Sequence, residues 1–210
     1  MISLNHMVIS PLVSILVYST CLIPNPSTQS GSRDLPDCEW CGALEAPSNL
    51  SWQTTIADST EPGERLILSG TIYHADNQTH AANILIYAYH TNAKGIYPKR
   101  GDETGNARRH GYLRAWVKTD AKGRYQFNTI KPASYPSSTE AAHIHMTIKE
   151  PGKDEYWIDS VRFADDPLLR RERNRTSDRG GSGIVELRKN DDGVWLATRD
   201  IFLARQFNHS

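Results

Sequence analysis

From Leu66 onward the chain is written in short runs, and this punctuation limits the fold more than any other feature. Leu66 to Tyr73, Asn83 to Tyr89, Tyr112 to Lys118, Tyr125 to Ile130, His143 to Lys149, Tyr156 to Phe163 and Ile184 to Arg188 are five to eight residues each and rich in β-branched and aromatic side chains. Asp192-Gly193 then separates the last of these from Val194 to Leu203 as a hairpin turn does. No long stretch carries the helical period. Many short strands at this spacing predict an all-β fold, a two-sheet β-sandwich with long loops. Leu168 to Gly183, charged and glycine-rich, reads as a long solvated loop.

Ahead of the strands the composition changes. Met7 to Pro24 contains an apolar run too short to span a bilayer and of the right length for the core of an export signal, so residues 1–24 read as a leader and the protein as exported. The leader lacks Lys and Arg before that run, and Cys21 within it is a candidate for lipid attachment, which would make a membrane tether. Residues 25–37, rich in Pro, Ser, Gly and Asn, read as a flexible tether, leaving 38–210 as one domain. Cys38-Glu39-Trp40-Cys41 is open to three readings: redox pair, half a zinc site or local disulfide. With no second such pair and in an exported protein the structural disulfide is preferred. The 24 Lys and Arg balance 24 Asp and Glu, so no net field points to nucleic acid, and a small-molecule partner is expected.

Ala142-His143-Ile144-His145 is the stretch with chemistry in it. Strand alternation sends both imidazoles to one face and Ile144 to the other. By spacing alone the pair is as readily two hydrogen-bonded structural histidines. Upstream, the Tyr135-Pro136 turn can return a phenol to the same point, and phenolate oxygen with imidazole nitrogen is a donor set suited to ferric iron.

Thr119 to Pro136, T-D-A-K-G-R-Y-Q-F-N-T-I-K-P-A-S-Y-P, followed by A-H-I-H, resembles the core of the intradiol ring-cleavage dioxygenases, the catechol and protocatechuate 3,4-dioxygenase family. The resemblance runs roughly from Leu66 to Phe207 and implies the same sandwich architecture. Thr91 to Tyr97 is similar to the family segment whose final tyrosine binds iron. The resemblance therefore implies a non-haem Fe(III) site held by Tyr97, Tyr135, His143 and His145, with Tyr135 the ligand displaced when substrate binds. It implies a catechol-type substrate cleaved with O2 to a muconate-type diacid. Two tyrosinates and one hydroxide would cancel the charge of the ion, leaving no large unpaired charge in a buried site. Of the other tyrosines, Tyr125 lies inside an alternating strand and reads as core, and Tyr87, Tyr89, Tyr112 and Tyr156 read as packing residues. His90 and His110 are placed at the pocket mouth, His74 and His80 on the surface.

Two departures from the family pattern matter. Glu140 stands where the family carries an arginine thought to stabilise the activated substrate, and Ser160 where it carries a glutamine. Arg162 replaces a tyrosine and shares a strand face with Ser160, so it is the candidate to supply the missing guanidinium. Two alternatives stand beside the dioxygenase reading: a metal- or phenol-binding sandwich impaired in turnover, and a transthyretin-like interaction module.

Overall fold

The computed structural model describes Cys38, residues 41–169 and residues 180–203. The leader, the tether, Cys21 and the centre of the Leu168 to Gly183 loop lie outside the described residues. After the 3-10 turn Ala43–Glu45 come β1 (Gln53–Thr55), β2 (Arg65–Tyr73), β3 (Leu85–His90), the single-turn helix α1 (Ala107–His110), β4 (Arg114–Lys118), β5 (Arg124–Ile130) and β6 (His143–Lys149). They are followed by β7 (Tyr156–Trp157), β8 (Val161–Phe163), β9 (Ile184–Val185), β10 (Leu187–Lys189), β11 (Trp195–Thr198) and β12 (Ile201–Phe202). One six-stranded sheet runs β1-β5-β2-β11-β10 with β12 on β2, and the other runs β4-β3-β6-β8-β9 with β7 on β6.

Alternation explains the core. Leu66, Leu68 and Ile72 of β2 and Tyr125 and Phe127 of β5 face Ile86 and Ala88 of β3, Val117 of β4 and Ile144, Met146 and Ile148 of β6, and all are buried. Two apolar faces thus close on each other, and the opposite face of each sheet is left to loops or solvent. Tyr125 is fully buried as read, its hydroxyl donating to the Arg199 carbonyl at 2.7 Å. The Asp192-Gly193 turn closes the β10–β11 hairpin, with Asn190 N–H donating to Val194 O at 3.0 Å. Cys38 and Cys41 are joined as a disulfide.

Three expected features differ. Gln53–Thr55 forms a short strand parallel to β5 that its polar sequence does not announce. The run Val194 to Leu203 divides at Arg199-Asp200, because the Asp200 carboxylate takes the Thr71 N–H at 2.9 Å where the ladder to β2 would continue. The run Tyr156 to Phe163 divides into β7 and β8. Trp157 faces Thr147 and Arg162 faces His143, so four steps along β6 are matched by five along its neighbour. The extra residue is a β-bulge, and it reverses the alternation between β7 and β8. Residue 157 and residue 162, odd and even, consequently lie on the same face of the sheet as His143 and His145.

Candidate metal centre

Three segments bring four side chains together on the outer face of the second sheet. His143 and His145 leave β6 on that face. Tyr97 follows the turn after β3, in which the Asn92 side-chain oxygen accepts the N–H groups of Lys94 at 2.9 Å and Ile96 at 3.1 Å. Tyr135 follows β5, and its loop is tied to the first turn by Thr91 Oγ1 donating to Ala133 O at 2.7 Å and Ala133 N–H to Asn92 O at 3.2 Å. The two loops touch at Gly95, whose φ is 76° and where a Cβ would lie 1.9 Å from Ser134 O. Any side chain there would prise the two tyrosines apart.

The four polar atoms then meet. Tyr97 Oη lies 2.6 Å from Tyr135 Oη, Tyr135 Oη 3.3 Å from His143 Nε2 and 3.4 Å from His145 Nε2, and the two Nε2 atoms are 3.0 Å apart. His143 Nδ1 donates to Ala141 O at 2.7 Å, which leaves Nε2 with its lone pair turned to the cluster. The entry to β6 is pinned by the Asp166 carboxylate, which accepts the Ala142 N–H at 2.8 Å. Among the described residues His145 Nδ1 has only the Ser160 hydroxyl, at 3.4 Å.

Burial sets the electrostatics. It pushes both phenols above their ordinary value, Tyr97 further because it hydrogen-bonds to Tyr135, and Glu140 adds to both. It also holds His145 well below the ordinary histidine value, with neighbouring His143 acting in the same direction. Left alone, the two phenols therefore keep their protons and His145 stays a neutral imidazole. A cation at the centre of the cluster is what would ionise the phenols. The donors fit one. Ligands about 2.0–2.1 Å from an ion and at right angles to each other are about 2.9 Å apart, a value within the 2.6 to 3.4 Å range of the spacings here. Among the described residues no three His, Cys, Asp or Glu side chains gather at one point, so an ion at this point would need the phenols as well as the imidazoles.

The other expectations divide. Arg162 pairs with His143 across β8 and β6 and so shares its face, half-buried. His90 and His110 are not at the pocket mouth. His90 is fully buried between the sheets, with Nδ1 donating to Thr91 O at 2.7 Å and Nε2 2.6 Å from Thr129 Oγ1 on β5. Its even position in β3 puts it with Ile86 and Ala88, facing inward. His110 is buried against Tyr89, ring on ring at 3.6 Å. Tyr87 and Tyr89 are packing residues as read, but on the outer face beside the cluster. Sequence reasoning passed over Tyr89 and Trp157 as neighbours of His145; the register of β3 with β6, Tyr89 opposite His145, was the signal available.

Residues 43–193 match the family model Dioxygenase_C, described as Dioxygenase. The beta chain of protocatechuate 3,4-dioxygenase from Burkholderia cepacia is 30% identical over 113 residues, 51% of this chain and 48% of that one. Catechol 1,2-dioxygenase from Acinetobacter baylyi is 29% identical over 138 residues, 58% of this chain and 43% of that one. The chain thus spans about half the length of these curated relatives. Among solved structures, the dioxygenase domain of a dioxygenase carbohydrate-binding protein fusion from Streptomyces sp. SirexAA-E superposes with a TM-score of 0.56 at 23% identity, covering 75% of this chain and 90% of that one. Catechol 1,2-dioxygenase from Pseudomonas arvilla C-1 gives 0.57 at 22%, covering 74% and 58%. These structures share the fold, and the family model spans β6 and both tyrosine-bearing loops that build the cluster. The chain belongs to the intradiol dioxygenase family.

Proposed function

We propose that this protein is a non-haem Fe(III) dioxygenase that opens a catechol-type ring between its two hydroxylated carbons, placing both atoms of O2 in a muconate-type diacid. The observation that carries this reading is the meeting of Tyr97, Tyr135, His143 and His145 at 2.6 to 3.4 Å. Ferric iron, when bound, supplies the Lewis acidity that draws electron density from the substrate ring. His143 and His145 would hold it through Nε2, and Tyr97 and Tyr135 through Oη. Tyr135 Oη, close to both imidazoles and to Tyr97, would be a phenolate once the ion is held, and as such would accept one proton of the arriving diol. Tyr97, wedged behind it and further desolvated, stays in place. Arg162, on the face of His143, offsets negative charge on the ring. Replacing it with alanine lowers turnover and leaves the iron content unchanged, and unaltered kinetics would remove it from the reaction. The leader and Cys21 extend the proposal to an exported or lipid-tethered enzyme, acting on aromatics outside the cytoplasm.

One observation favours a second reading, metal and phenol binding without turnover. Glu140, a carboxylate, stands where the family carries the arginine that offsets charge on the substrate, and it opposes a catecholate at the same site. One experiment addresses both. The purified protein is loaded with ferric iron, its visible spectrum recorded, and catechol added first without oxygen and then with it. A tyrosinate-to-iron band that shifts with catechol, followed by O2 uptake, supports the dioxygenase. A shift without uptake supports the binding protein, and a protein that stays colourless with ferric iron overturns the metal reading.

A further inference from the structure

The two histidines of the cluster are oriented by different means. His143 is locked by a 2.7 Å hydrogen bond from Nδ1 to Ala141 O. Among the described residues His145 Nδ1 has only the Ser160 hydroxyl, at 3.4 Å, beyond the range of a firm hydrogen bond. The last torsion of a histidine is broad, so something else must fix that ring plane. Its ring lies on Tyr89, centroids 4.6 Å apart and planes within 22°. Of the other rings around Tyr89, among them Tyr87, Tyr97 and Trp157, His110 lies nearest, at 3.6 Å and 2°.

This stack is anchored at a distance from the cluster. Tyr87 Oη and His110 Nδ1 share a hydrogen bond at 2.7 Å, and burial keeps that phenol protonated and that imidazole neutral. Tyr87 stacks on Trp116 at 5.1 Å, and Trp116 Nε1 donates to Gly42 O at 2.7 Å. Gly42 lies flat on the Tyr87 ring, where a Cβ would come within 2.5 Å of its carbons. The turn that carries it is held from both sides: the Glu155 carboxylate accepts Gly42 N–H at 3.0 Å and Ala43 N–H at 2.7 Å, and Glu45 pairs with Arg114 at 2.6 Å. The disulfide between Cys38 and Cys41 closes the chain just before it.

We propose that Tyr89 is a positioning residue for the metal site, fixing the plane of His145, and that the turn at residues 41–45 holds Tyr89 in place through Tyr87 and His110. The proposal rests on the metal reading above. Among the described residues the Tyr89 hydroxyl makes no hydrogen bond, so its ring alone does the positioning and phenylalanine is an adequate replacement. Loss of a group that orients a metal ligand weakens metal binding about 10- to 100-fold.

The test uses the full chain with Tyr89→Phe, Tyr89→Leu and Gly42→Val. Ferric iron affinity is measured by competition with a chelator, and the His145 imidazole resonances are recorded in the metal-free protein. In the wild type and Tyr89→Phe the aromatic ring shifts the His145 resonances upfield and the affinities agree within about twofold. In Tyr89→Leu the shift is lost and affinity falls at least about tenfold. A folded Tyr89→Leu with wild-type affinity overturns the proposal. If that variant does not fold, Gly42→Val decides: lowered affinity with moved His145 resonances supports the coupling, and unchanged values overturn it. If the wild type binds no ferric iron, the metal reading has failed, and the resonances still show whether Tyr89 orients His145.

Discussion

Glu140 is the residue whose chemistry runs against its surroundings. Tyr97 and Tyr135 must become anions to hold a trivalent ion, and a carboxylate near both opposes this. It is only half-buried, so solvent weakens its effect to on the order of 1 kcal/mol. Glu140→Gln is expected to raise ferric iron affinity severalfold, read by chelator competition. An unchanged constant would mean that water screens the charge completely. At this scale the sequence was informative where a motif spanned several residues. The phenols and imidazoles singled out by long motif matches are those that meet. Single histidines were not legible in the same way. His90 sits beside the turn at Thr91 and Asn92 and so reads as part of the pocket mouth, although strand alternation from Ile86 and Ala88 already directs it inward. His110 ends a helix of one turn, too short to leave a periodic pattern, and only the three-dimensional path returns it to Tyr89.

Among elements, the long alternating strands were legible because burial on one face imposes a period of two on their sequence. The short ones were not. β1 has three polar residues and owes its existence to β5 beside it. The β7–β8 bulge was invisible because Tyr156 to Phe163 is uniformly strand-like, and register against β6 decides where the extra residue goes. That bulge has a function in the geometry, since it gives Trp157 and Arg162 the same face. Deleting Asp159 would restore continuous alternation and turn either Arg162 or Trp157 to the opposite side. An arginine turned to the inner face beside Ile144 and Met146, with Val161 and Phe163 turned outward in exchange, would be buried without a designed partner, at a cost of about 3 kcal/mol or more. For a domain of this size that is a fall of roughly 10 °C in melting temperature. Thermal denaturation of the metal-free deletion protein measures it, and a wild-type melting temperature would show that the bulge is dispensable.

At the scale of the whole molecule the two sheets are joined chiefly by apolar contact, which has no dependence on pH. His90 is an exception. It belongs to β3 of one sheet and its Nε2 meets Thr129 of β5 in the other at 2.6 Å, while Nδ1 donates to Thr91 O. Both nitrogens are satisfied by the neutral ring, and burial lowers its pKa from 6.5 to about 4. The unfolded chain takes up this proton near pH 6.5 and the folded one resists until about 4. Between those values the unfolded state binds more protons, so stability falls as pH falls, and above that window this group contributes no slope. The loss reaches on the order of 3 kcal/mol by pH 4, with a limiting slope of about 1.4 kcal/mol per pH unit. His110, also held at about 4 by burial, tilts the curve the same way. The contribution of His90 is isolated by comparing wild type with His90→Gln in metal-free urea denaturation from pH 7.5 to 4. Whatever the variant loses at neutral pH, its stability should decline less steeply through the window, because glutamine has no proton to take up. Parallel curves would mean that the clip between the sheets accommodates the charged ring, by Thr129 turning its oxygen lone pair to Nε2–H, and that acid loosens the sandwich elsewhere.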